Sequence, residues 1–133
     1  MKHVFNFWLA LATLFLPIVD TIGQQNTYVD ESGKQVRKKK AHSTITQIQE
    51  SADSFRVKRV RIQDGCVLNE WVFNNRVLDT QIGTAVIRDE ENCQVVKETP
   101  FNNNGEIEGT VNLFYSADGK PKASIAYLNG NLH

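Results

Sequence analysis

The strongest constraint on this chain is its punctuation by turn-forming residues. Asp64-Gly65, Asn74-Asn75, Asn104-Gly105, Asp118-Gly119 and Asn129-Gly130 recur at short intervals, with the polar stretch Asp89-Glu90-Glu91-Asn92 between them. Glycine reaches positive φ without steric cost, and Asp and Asn side chains bond their own following backbone, so such residues end strands. The segments between them are short and rich in β-branched and aromatic residues, which suits a pleated, half-buried surface. Beyond residue 23 no stretch carries a long 3.6-residue apolar period. The expected fold is therefore all-β, with antiparallel hairpins in a single meander sheet or a small sandwich.

Several segments can be assigned within that frame. Residues 27–30 read as a short extended piece closed by Glu31-Ser32-Gly33-Lys34, and residues 36–41 as at most one helical turn. Residues 43–49 mix β-branched and polar side chains, as an exposed strand does. In residues 55–62, Phe55 and Val57 share one face and Val60 and Ile62 the other, a phase change expected from a β-bulge near Lys58-Arg59. Residues 67–73 place Val67, Trp71 and Phe73 together. Residues 77–82 are a weaker strand. Two hairpins follow, 84–88 with 93–99 and 110–115 with 122–128.

The N-terminus is of a different kind. Lys2 and His3 precede an apolar run over residues 4–19 that Asn6, Thr13 and Pro17 interrupt, and small residues lead to Gln24-Gln25. This pattern reads as a secretory signal peptide over residues 1–23, with the run short for a membrane span. A single β-rich domain is then expected over residues 24–133, exported to the periplasm or outside the cell, with membrane contact only through an uncleaved signal. The full chain has 15 basic and 15 acidic residues; losing Lys2 and Asp20 leaves 14 of each. That balance gives no electrostatic case for a nucleic-acid partner. In an exported chain, an even cysteine count favours a bridge between Cys66 and Cys93; two separate buried thiols are the alternative.

The C-terminal third, about 104–133, contains a repeat. Asn104-Gly105 returns as Asn129-Gly130, and each glycine is followed two positions later by an apolar residue, Ile107 and Leu132. Gly105, Gly109, Tyr115, Gly119, Lys120, Tyr127 and Gly130 fall on a pattern that resembles the β-hairpin repeats of an antitoxin-like family related to MORN (membrane occupation and recognition nexus) repeats. Residues 57–68, turning at Asp64-Gly65, look like a degenerate unit. The start, Thr27 to Asp30 with Gly33-Lys34, is similar to exported proteins of the Bacteroidetes type that carry such repeats. The resemblance implies hairpins that stack because no unit buries its apolar face alone. The family's antitoxin-style name implies a toxin partner, which an export signal fits poorly.

The residues advertise no catalytic set. His42 lies beside a cationic run, His133 ends the sequence, and neither has a nucleophile at a suitable spacing. The adjacency of His42 and Ser43 in sequence does not make a triad. Cys66 and Cys93 lack C-x-x-C spacing, the turn acids lack the spaced oxygens of a calcium loop, and Glu106 and Glu108 read as a repeat junction. No metal or other cofactor is expected. The one charge feature is Arg37, Lys38, Lys39 and Lys40 with Arg56, Lys58, Arg59 and Arg61. It reads either as a patch for an acidic partner or as a solvated face and cation-guarded edge. The expected function is a non-catalytic exported module that binds another protein or an envelope component, with a small-ligand or lipid carrier built on a barrel-like pocket as the alternative.

Overall fold

The computed structural model describes residues 24–133; the signal peptide expected over residues 1–23 lies outside the described residues. The described chain forms nine strands: β1 Gln24–Val29, β2 Ser43–Ser51, β3 Ser54–Arg61, β4 Val67–Phe73, β5 Gln81–Arg88, β6 Val95–Phe101, β7 Gly109–Phe114, β8 Pro121–Leu128 and β9 Asn131–Leu132. They lie in one antiparallel sheet in chain order, so every connection is a local hairpin and the sheet is an open meander. The remaining regular element is a 3-10 turn, Lys38–Lys40.

Register assigns the side chains to faces, because directly paired residues share a face and neighbours along a strand alternate. Ile45 pairs with Arg59, Gln47 with Val57 and Gln49 with Phe55. Val57 pairs with Trp71 and Phe55 with Phe73 on the next strand. On this face Phe55, Val57 and Phe73 are buried, with Ile45 and Trp71 packed alongside. Among the described residues no second layer covers the sheet, and a connection takes that role. The β4–β5 loop folds over the face and seats Leu78, 6% exposed, in the same cluster. Arg76 lies over the Phe55 ring at 6.0 Å and donates to Gln49 Oε1.

Four segments differ from the sequence expectation. Strand β3 runs in regular register against β2 from Phe55 to Arg61, so Val60 and Ile62 sit on the far face by simple alternation. The bulge is on β4 instead, where Leu68 is the extra residue opposite Arg59 and Val60. It moves Val67 off the face that Trp71 and Phe73 share. Strand β2 is no exposed strand: β1 and β3 flank it, and Ser43, Thr46 and Gln47 are buried. Residues 77–80 belong to the covering loop, and strand structure begins at Gln81. The apolar character of Val77-Leu78 reflects a lid over the core, not a strand.

Because the core is thin, its two phenylalanines, Phe55 and Phe73, carry much of it. Phe55→Ala is expected to cost about 3–5 kcal/mol in urea unfolding. A loss below about 1 kcal/mol would contradict the burial described.

Candidate functional site

Three hairpin tips lie at one end of the sheet, and they are built alike. At the β3–β4 tip, Arg61 N donates to Cys66 O and Gly65 N donates to Arg61 O. At the β5–β6 tip, Asp89 N donates to Gln94 O and Cys93 N to Asp89 O. At the β7–β8 tip, Tyr115 N donates to Lys120 O and Gly119 N to Tyr115 O. The residue four positions into each tip has positive φ: Gly65 75°, Cys93 63° and Gly119 74°. The side chain just before it accepts from the backbone N–H two positions on: Asp64 Oδ1 from Cys66, Asn92 Oδ1 from Gln94 and Asp118 Oδ1 from Lys120.

The strands behind the tips repeat as well. Val57 pairs with Trp71, Ala85 with Thr99 and Val111 with Ile125. Phe55 pairs with Phe73, Gly83 with Phe101 and Gly109 with Tyr127. Each hairpin carries one bulge at the same place, at Leu68, Val96 and Lys122. The junctions between hairpins match too: Asn69 with Ile87 and Glu70 with Val86, then Lys97 with Leu113 and Glu98 with Asn112. The described residues thus contain three copies of one hairpin, with tips opening at Arg61, Asp89 and Tyr115. Val57, Ala85 and Val111 form the buried ladder, at 0%, 8% and 5% exposed.

The sequence shows the third copy and part of the first as repeats, and it places the second as a hairpin, 84–88 with 93–99, without revealing it as a copy of the others. The reason is local. Cys93 stands where the other copies have glycine, so no Asp-Gly pair marks the tip. The aromatic series Phe73, Phe101 and Tyr127, 28 and then 26 positions apart, was the signal that could have revealed it. Of the repeat-pattern residues, Gly119 and Lys120 form the third tip, and Gly109 faces Tyr127 across the hairpin. Tyr115 opens the tip beneath Lys122, whose Nζ lies 5.6 Å from the ring centre. Gly105 and Gly130 turn the chain at the opposite end, both at positive φ.

The tips are tied together. Cys66 of the first and Cys93 of the second are disulfide-bonded, with Cα atoms 6.0 Å apart. Arg61 donates to Glu90 O across the same gap, and Asn92 donates to Ser116 O of the third tip. Arg61 also makes two bonds to Asp64, 2.9 and 2.7 Å. That guanidinium, with the Cys66 N–H, lowers the Asp64 carboxyl to about 2.

The basic residues are not one patch. Arg56 and Lys58 alternate with Arg59 and Arg61 on β3 and project from opposite faces. Arg56 is neutralised by Glu50 and Glu70 at 2.9 and 2.6 Å, and Glu50 is held below its ordinary range by the bond from Arg56. Arg59 donates to Asp30 O and Glu31 O. Arg37, Lys38, Lys39 and Lys40 are exposed on the connection after β1, with Lys38 above the Tyr28 ring. His42 Nδ1 lies 2.6 Å from Ser43 Oγ, but Ser43 is completely buried, so that hydroxyl meets no solvent. Among the described residues, no group of three His, Cys, Asp or Glu side chains is placed to hold a metal ion.

Two predictions follow from the tips. Removing the bridge as Cys66→Ala with Cys93→Ala is expected to cost about 3.5 kcal/mol in the chain-entropy model. Cys66→Ala with Cys93→Gly should recover about 1 kcal/mol of that loss, because glycine takes positive φ without strain. Equal stability of the two double variants in urea would refute the shared tip geometry. The second concerns pH. A carboxyl held below its ordinary 3.8 stabilises the fold above that value and ceases to do so as pH falls toward about 2. The melting-temperature gap between wild type and Asp64→Asn should therefore be open near neutrality and close between about pH 4 and 2.

No protein-family model matches the chain, and no curated protein or solved structure matches it either.

Proposed function

We propose that this protein is an exported, non-catalytic interaction module built from MORN-like hairpins, binding another protein or an envelope component. The observation that carries the reading is the open apolar face made by the three hairpins. Trp71, Leu113, Ile125 and Tyr127 are half-buried there, Ile87 is 38% exposed, and all five lie on the side of the Val57–Ala85–Val111 ladder. Partly exposed aromatic and aliphatic side chains on a rigid sheet are what a protein partner desolvates. The disulfide supports export, since such bonds persist in oxidising compartments. The strand order lends no support to the carrier: β1 and β9 lie at opposite ends of the sheet and do not pair to close a barrel.

Two measurements test this. N-terminal sequencing of the exported form should begin near Gln24. A photo-crosslinking residue at Ile87 or Leu113 should capture one defined envelope protein. The same residue at Thr110, exposed on the opposite face, should not. Indiscriminate capture from all three positions would count against the module.

A further inference from the structure

The three-hairpin sheet has one edge that displays half of a junction it uses twice internally. In the first two hairpins the second strand is covered by the next hairpin just behind the bulge, at Asn69 and Glu70 and again at Lys97 and Glu98. The corresponding residues of the third hairpin are Ala123 and Ser124, both exposed. Strand β9 pairs only with Tyr127 and Leu128. Ala126 O accepts from His133 N, so Ala126 turns its backbone groups outward. Two residues back in regular register, Ser124 turns its N–H and C=O the same way. Among the described residues neither has a backbone partner on that side.

We propose that this edge pairs with the same edge of a second copy, β8 antiparallel to β8, about a two-fold axis near Ala123 and Ser124. The inference goes beyond the envelope-partner reading and uses the edge of the sheet, where that reading uses the face. The second copy is the fitting occupant for three reasons. A two-fold antiparallel pair satisfies the Ser124 groups of both chains with one register. Ala123 is small enough for the close approach that a strand pair requires. Leu128 at the end of β8 and Tyr115 and Leu132 on either side of that strand are 50%, 51% and 73% exposed and would be sheltered by the partner chain.

Head-to-tail growth is blocked by the other edge. The tip-proximal end of β1 is the part equivalent to the junction-forming ends of β5 and β7. It is already covered, with Gln35 bridged to Val29 and Val36 N donating to Tyr28 O. Pro121 and Lys122 at the start of β8 limit the pairing to a short segment, which suits a closed dimer and opposes fibre formation. A contact of this size gives a weak, concentration-dependent association.

Sedimentation up to about 1 mM protein should show a monomer–dimer equilibrium. Ser124→Pro removes an outward N–H that the chain itself does not use, together with the exposed Ser124 Oγ–Asn112 Oδ1 bond, and should leave a folded monomer whose melting temperature in dilute solution matches that of Ser124→Ala, which loses the same side-chain bond. Independently, Ala123→Cys should form a covalent dimer under mild oxidation far faster than Asp53→Cys, which sits on a distant tip. A chain that stays monomeric throughout, a dimer that survives Ser124→Pro, open-ended oligomers, or equal crosslinking from the two cysteine positions would each overturn the proposal. None of these results bears on capture from Ile87 and Leu113, so failure of the edge dimer and failure of the face reading are separable.

Discussion

Every level of this structure depends on one backbone arrangement: a tip closed by a residue at positive φ, whose preceding side chain caps the next strand. The Asp or Asn before that residue satisfies an N–H that the turn would otherwise leave unpaired. A bulge follows a few positions later in each copy, and the bulge decides which face each side chain meets. With the tip in place, Val57, Ala85 and Val111 line up across three hairpins. A shift of one residue in any tip would carry its ladder residue to the solvent face.

A single-layer sheet of this kind is poorly provided with core. Burial approaches that of a two-layer domain around Phe55, where the β4–β5 loop folds back, and at Val29 and Ser43 beside the connection after β1. Elsewhere cohesion comes from backbone ladders and from ties between neighbouring tips. Those ties are graded along the chain. The first and second tips share a covalent bond and the Arg61 contact, whereas the second and third share the Asn92 contact. The half-covered face of the later hairpins is a consequence of the same geometry, and it is the surface on which the functional reading rests. Cys93 illustrates the local trade: its positive φ strains a residue with a side chain, and the bond to Cys66 offsets that strain by joining two repeats.

Much of this was legible from the residues. Turn pairs marked most of the hairpins, the alternation of Phe55 and Val57 marked the buried face, and the Gly-Tyr-Gly-Lys-Tyr series marked the last repeat. The second repeat was hidden because a cysteine took its glycine position. Leu78 was misread because local apolarity does not distinguish a strand from a lid. The cationic patch dissolved because β3 alternates Arg56 and Lys58 with Arg59 and Arg61, and because acids from β2 and β4 meet Arg56.

The residues alone determined an all-β chain and where most of its turns fall, because turn chemistry and side-chain alternation act over a few neighbouring positions. Tertiary structure decided how many repeats the described residues hold, that the bulge of the first hairpin lies on β4 and not on β3, and which edge stays open. Those outcomes depend on which residues of consecutive strands lie opposite one another, and a window of a few residues does not contain both partners.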